Sequence, residues 1–126
     1  PVMVMTGDLH NSFAVKVTER VWEFASGPLN SQNHPAKSEG GRPANGRFDS
    51  RGRPVEIRWS SYIRDDLPLA LRKIPYFAIA QVNNVFNNPA VPGTPRWVAF
   101  PKPHVVIQYY DGLTGDLLYA EPIHAR

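Results

Sequence analysis

The sequence predicts an α+β fold, in which a twisted antiparallel β-sheet carries one or two helices on one face. Segments that alternate apolar and polar residues stand near both ends of the chain. A helix-start pattern lies between them. Thirteen prolines and nine glycines among 126 residues indicate short elements and many turns. A small Greek-key barrel of the oligonucleotide-binding (OB) kind is the alternative, because the order of strands would suit it as well.

The composition indicates one soluble domain spanning residues 1–126. Hydrophobic residues make up 42% of the chain, enough for a core. The absence of cysteine excludes disulfides and thiolate metal sites. No apolar run is long enough for a transmembrane helix, and the start does not resemble a signal peptide, so we expect a protein of the cytoplasm or a virion without a membrane partner. The net charge of +3 slightly favours an anionic partner.

The first fifth of the chain predicts strands. The apolar run from Val2 to Met5 predicts an edge strand or a pairing arm. Residues 13–18 alternate, and this places Phe13 and Val15 on one face. Trp22 and Phe24 fall on the opposite parity, so a β-bulge near residue 19 is expected to return them to the same side.

The most distinctive segment is a polar arm of residues 26–54. Asp49 is the only acid between the first and last of its four arginines, which are Arg42, Arg47, Arg51 and Arg53. The arm carries too few apolar side chains to build a core. We therefore expect it to be a mobile linker, or to become ordered on nucleic acid or on a neighbouring protein subunit. Within it, residues 49–52 fit a type I turn, with aspartate first and glycine last.

The middle of the chain predicts a strand followed by helix. In residues 55–63, the residues Val55, Ile57 and Trp59 share one predicted face. Asp65 and Asp66 suit the positive end of a helix dipole. Residues 76–86 contain a helical apolar face and are predicted as helix, with a strand over residues 76–82 as the second interpretation.

The last quarter predicts a β-hairpin. Residues 104–110 alternate, and residues 117–120 form the partner strand. Asp111 and Asp116 flank the connecting loop, and paired acids can hold a divalent cation. Each stands beside a glycine, which is typical of turns, so we predict no metal site and no cofactor.

The candidate nucleic-acid-binding residues are those that combine positive charge with a base-stacking ring. Guanidinium groups pair with phosphate and stack on bases, and a tyrosine outside the apolar phase of its strand can stack on a base. These residues are Arg42, Arg47, Arg51, Arg53, Arg58 and Tyr62.

A metal-independent ribonuclease of the bacterial toxin type is the alternative function. Such an enzyme needs a base, an acid and a cation for the phosphate. The residue types that could supply them are His104, Glu56, Arg58 and Tyr109. Neither a glycine-rich phosphate loop nor a serine nucleophile elbow occurs, which disfavours the common nucleotide-dependent and hydrolytic enzymes.

The first interpretation remains a non-catalytic binding or assembly protein. Its arginine-rich arm is expected to contact nucleic acid or a neighbouring subunit, in an oligomer such as a phage particle or another nucleoprotein assembly.

Overall fold

A computed structural model describes residues 1–7, 9–38, 40–87, 93 and 97–125. Eight strands occur in these ranges, and they form a five-stranded and a three-stranded sheet. The larger sheet has the order β1 (Val2–Thr6), β3 (Val21–Ala25), β2 (Phe13–Lys16), β5 (Arg53–Ser60) and β4 (Gly46–Ser50). The smaller sheet consists of β6 (Tyr76–Asn87), β7 (Trp97–Asp111) and β8 (Leu117–His124). All neighbouring strands are antiparallel except β1 and β3.

The two sheets pack face to face over one apolar core. The larger sheet contributes Ala14 and Phe24, and the smaller sheet contributes Ile107, Tyr109 and Ile123. Each of these side chains is at most 5% exposed. Burial of this apolar surface is the main force that holds the sheets together.

The larger sheet also carries apolar residues on its opposite face, which we call the outer face. Phe13, Val15, Ala25 and Ile57 form a second buried cluster there, and Val55 and Phe48 pack against it. Leu9 and Val17 also pack against this cluster, and the Arg42 guanidinium lies over the Phe13 ring, so loop residues cover part of the outer face.

The α+β prediction is wrong, because the described chain forms two packed sheets and its single helical element is a 3₁₀ turn at Leu69–Arg72. The acids that predicted a helix start have other partners. Asp65 Oδ1 accepts a hydrogen bond from the Lys37 backbone N–H at 2.7 Å, and Asp66 pairs with Arg64. The OB-like alternative is wrong as well, since the strands are divided between two sheets instead of closing into one barrel.

Residues 76–86 form strand β6 and not the predicted helix. Their aromatic and β-branched side chains suit a strand, and β6 pairs with β7 from Tyr76 to Asn87. The spacing of the apolar residues was compatible with a helix and with a strand, and pairing with β7, which is distant in sequence, stabilises the strand. The strand that was the second interpretation is therefore the one that forms.

Two predicted face assignments are also corrected. Residues 17–20 form a turn between β2 and β3, closed by the Val17 N–H to the Val21 carbonyl at 2.9 Å, and not the predicted bulge. Trp22 and Phe24 therefore face the inner core, whereas Phe13 and Val15 lie on the outer face. In β5 the pairing with β2 shifts at Arg58, which is a β-bulge. This bulge turns Trp59 to the inner core while Ile57 stays on the outer face.

A turn does connect β4 and β5, but it spans residues 50–53 instead of 49–52 and is not the predicted type I turn. Ser50 pairs with Arg53, so Arg51 and Gly52 form a two-residue connection, with φ angles of 54° and 79°. Positive φ at both positions is the type I′ geometry that suits the twist of a hairpin. Asp49 supports it, because its Oδ1 accepts the Gly52 N–H at 2.8 Å.

Much of the polar arm is ordered within its own chain, contrary to the premise that an external partner must order it. Residues 46–54 belong to the β4–β5 hairpin. Upstream, Asn33 and Ala36 are 1% and 4% exposed. The Asn33 side-chain amide donates to the backbone carbonyls of Arg72 and Ile74 at 2.8 Å each. The Ala36 N–H donates to the Ile63 carbonyl at 3.0 Å.

Candidate binding groove on the outer face

The outer face of the larger sheet contains an open groove of about 410 Å³. Its floor is built by apolar residues of β2, β4 and β5, together with the residue that follows β2. These floor residues are Phe13, Val15, Val17, Phe48, Val55 and Ile57. Phe13, Val15 and Ile57 are already buried, whereas Val17, Phe48 and Val55 are partly exposed. Covering the apolar surface of these three residues with a partner's apolar side chains would be favourable.

Two of the predicted arginines, Arg42 and Arg53, line this groove. The Arg42 guanidinium carbon lies 4.5 Å from the centre of the Phe13 ring, a cation–π contact. Gly40 and Gly41 precede it with φ of 82° and 67°, and this backbone geometry allows the arm to return to the sheet. Arg53 opens strand β5 and is exposed.

Glu23 supplies a negative charge to the same groove. It lies on β3, opposite Val15 of β2, and it is partly buried. The groove therefore combines an apolar floor with two guanidinium groups and one carboxylate. Guanidinium groups bind a carboxylate through paired hydrogen bonds, so the arrangement can hold an apolar segment that carries an acidic group.

The other arginines of the arm point elsewhere. Arg47 is exposed on β4 and pairs in register with Glu56 of β5, while Arg51 occupies the tip of the hairpin. Tyr62 follows β5 and is 42% exposed, but it does not line the groove. The six predicted nucleic-acid-binding residues therefore do not form one surface.

Arg58 belongs to an ion cluster that bridges the two sheets. Its Nη1 lies 2.7 Å from Glu56 Oε1, and its Nε lies 3.3 Å from Glu121 Oε2 on β8. The Tyr119 hydroxyl donates to the same Glu121 oxygen. The hydrogen bonds to Glu56 and then Glu121 raise the pKa of Arg58 further above its usual range. Because both carboxylates engage this guanidinium, Arg58 is poorly placed to hold a phosphate.

The proposed ribonuclease set is not gathered into one site. Tyr109 is completely buried, and its hydroxyl donates to the Phe13 carbonyl at 2.7 Å. His104 lies on the same strand at the opposite parity, so it faces away from the core. Its Nε2 lies 3.0 Å from Asn83 Nδ2 and its Nδ1 lies 2.8 Å from the Lys102 carbonyl, so both ring nitrogens have partners. Only Glu56 and Arg58 of the four come together.

Sequence reasoning missed three residues of these sites. Tyr119, Glu121 and Ile123 are alternate residues of β8, so their side chains lie on the same face of the strand. Because Ile123 is buried, this spacing indicated that Glu121 points inward. Glu23 gave no such signal, because its role depends on which face of the sheet remains open.

A second cleft of about 480 Å³ lies at the end of the sandwich, beside Trp22 and His124. Its lining includes Lys16 and Glu19, which pair with each other at 2.7 Å. The internal pairing of these charges makes this cleft a weaker candidate than the groove.

The described part of the chain contains no cluster of three or more histidine or carboxylate side chains that could hold a metal ion. Within the same residues, no helix has the length and apolarity that crossing a bilayer would require. Comparisons with protein families, with curated proteins and with solved structures found no match.

Proposed function

We propose that this chain is a non-catalytic binding and assembly protein whose outer groove holds an acidic, apolar segment of a partner protein. The observation that carries the proposal is that Arg53, exposed at the start of β5, lines one groove of about 410 Å³ together with partly exposed apolar residues. The ordered arm supports it, since the arm brings Arg42 onto the groove without needing a ligand to do so.

A protein segment fits the groove better than nucleic acid does. Single-stranded nucleic acid is bound by exposed aromatic rings along a continuous cationic track. Four of the six floor residues are aliphatic, and of the two aromatic rings Phe13 is 3% exposed and Phe48 is only partly exposed. The remaining arginines diverge, and Arg58 is engaged by two carboxylates. A neighbouring subunit is therefore the favoured partner.

The test is a titration followed by NMR of the methyl groups of Val17 and Val55, the partly exposed valines of the floor. The probe is a short synthetic peptide of leucine, valine and aspartate, and its analogue carries asparagine in place of aspartate. We expect the acidic peptide to shift the groove methyl signals. Arg53→Gln should weaken its binding roughly tenfold, the effect of losing a charge-assisted hydrogen bond.

The matched control is Arg51→Gln, which removes the same charge from the same hairpin but outside the groove. It should leave peptide binding unchanged. Equal losses in both variants would contradict the groove, because they would indicate a general charge effect. If the protein binds an oligouridylate and not the peptide, with an affinity that falls steeply with salt, the ligand of the groove would be nucleic acid.

A further inference from the structure

The longest edge strand of the molecule is β6, which spans 12 residues from Tyr76 to Asn87. It hydrogen-bonds to β7 on one side, and it stands at the end of the smaller sheet. In the part of the chain that the structure describes, no strand pairs with its other side. A row of backbone donors and acceptors along such an edge is a template for another strand.

Strand β6 also lacks the charges and prolines that keep edge strands apart, and its one irregularity is a register shift against β7 between Asn83 and Val85. Its sequence, YFAIAQVNNVFN, contains no charged residue, no proline and no glycine. The edges at β4 and β8 differ, because β4 carries Arg47 and Asp49 and β8 carries Glu121 and Pro122. Charges and proline are the usual protection against edge pairing. Of the four edge strands, β4 and β8 carry such residues, whereas β6 and the five-residue β1 do not, and β6 is the longer of these two.

Apolar side chains are exposed along this edge. Ile79 is 45% exposed, Val82 is 68% exposed and Val85 is 50% exposed. Ile79 and Val82 have opposite parity, so they lie on opposite faces of the sheet. An added strand would cover apolar surface on both faces, which is favourable.

We infer that β6 pairs antiparallel with β6 of a second copy of this chain, joining the two small sheets into one six-stranded sheet. The two-fold axis would pass through Val82. In that register Ile79 faces Val85 of the partner strand, Ala78 faces Phe86 and Gln81 faces Asn83, so these three pairs match in polarity. Ala80 faces Asn84 and Phe77 faces Asn87, which do not match. Such an isologous contact closes as a dimer. The inference does not depend on the groove.

The first test measures the molar mass of the protein in solution by light scattering during gel filtration. We expect a dimer for the wild-type chain and a monomer for Val82→Lys, which places two ammonium groups together at the axis. The dissociation constant should rise at least about 100-fold, as like charges in an interface cost several kcal/mol. Leu113→Lys is the matched control, since Leu113 is 76% exposed in the β7–β8 loop. A wild-type monomer, or a Val82→Lys dimer, would overturn the inference.

The second test uses the absence of native cysteine. Residues opposite each other in an antiparallel pair have Cα atoms about 4.5–5.5 Å apart, within the range of a disulfide. Val82→Cys should therefore form a covalent dimer under mild oxidation, and Leu113→Cys should not. Cross-linking at equal rates in the two variants would overturn the proposed register.

Discussion

Tyr109 is the residue that most directly ties the two sheets together. Its ring is completely buried in the core and lies 4.8 Å from the ring of Trp59, while its hydroxyl reaches the Phe13 carbonyl on the opposite sheet. Burial raises the pKa of Tyr109, and the neighbouring Tyr119 adds to this rise. The fold therefore accommodates the neutral phenol and not the phenolate.

This arrangement predicts loss of stability at alkaline pH. A tyrosine whose pKa is raised in the folded state contributes its full stability below the unfolded pKa of about 10, and that contribution is lost as pH rises towards the folded pKa. Burial likewise raises the pKa of Tyr119 and Tyr76. Urea unfolding should thus give a free energy that falls steeply above about pH 10.

Tyr109→Phe isolates the contribution of this hydroxyl. At about pH 8 the variant should lose about 1–3 kcal/mol, because the Phe13 carbonyl is left buried without its donor. Above about pH 10 its stability should fall less steeply, by up to about 1.4 kcal/mol per pH unit. Tyr62→Phe, at an exposed position, should change neither quantity. A Tyr109→Phe variant with the wild-type alkaline slope would show that another group governs the transition.

At the scale of elements, local turn chemistry was predictable and strand pairing was not. The loop between β7 and β8 was predicted from its glycines and aspartates, and Asp111 Oδ1 does accept the Leu113 and Thr114 N–H groups at 2.7 and 3.0 Å. These contacts involve residues close in sequence, so the sequence alone carries the signal.

The bulge at Arg58 illustrates what local patterns omit. Alternation in β5 predicted one face for Val55, Ile57 and Trp59, and an undisturbed strand would have obeyed it. The register shift against β2 depends on a strand more than forty positions earlier in the chain. The same limit applies to the site. The arginines of the arm were identified from the sequence, yet only Arg42 and Arg53 line the groove. Strand pairing and the hairpin turn place the other two outside it.

The packing of the arm against the rest of the chain gives a testable prediction at the scale of elements. Before β4, Lys37–Ser38 is the arm's one tryptic bond, because proline follows Arg42. Trypsin should cut this bond slowly in the native protein, because the backbone on both sides of it is hydrogen-bonded. The Lys37 N–H donates to Asp65, and the Gly41 N–H donates to the Ala36 carbonyl at 2.7 Å. Asn33 and Ala36, just before the bond, are buried. Asn33→Ala should accelerate the cut by roughly tenfold or more, because losing the two side-chain hydrogen bonds costs about 1–3 kcal/mol.

Asn30→Ala is the control for this experiment, because Asn30 is exposed in the same segment. It should be cut at the wild-type rate. Rapid cleavage of the wild-type protein at Lys37 would mean that the arm is open in solution, as the composition alone suggests.

The whole molecule exposes much apolar surface for its size. Among the described residues, twelve hydrophobic side chains are buried, whereas sixteen large hydrophobic ones are exposed. The exposed set includes four consecutive residues of β1 as well as the open edge of β6. Large exposed apolar patches are rare on monomeric proteins and mark surfaces that a partner covers. The free energy of unfolding of this chain should therefore depend on whether it is associated with a second copy.

Association makes the melting temperature depend on protein concentration, because the dimer is favoured by mass action while the unfolded chains are separate. For two chains of 126 residues that unfold together, the typical unfolding entropy gives about 2–3 °C per tenfold change in concentration. Calorimetry of the wild-type protein over a wide concentration range should give this slope. Val82→Lys should abolish it and Leu113→Lys should retain it, since only the first places charge at the β6 edge. A melting temperature that does not depend on the concentration of the wild-type protein would mean that the chain folds as a monomer. Its exposed strands would then be available to bind a different protein.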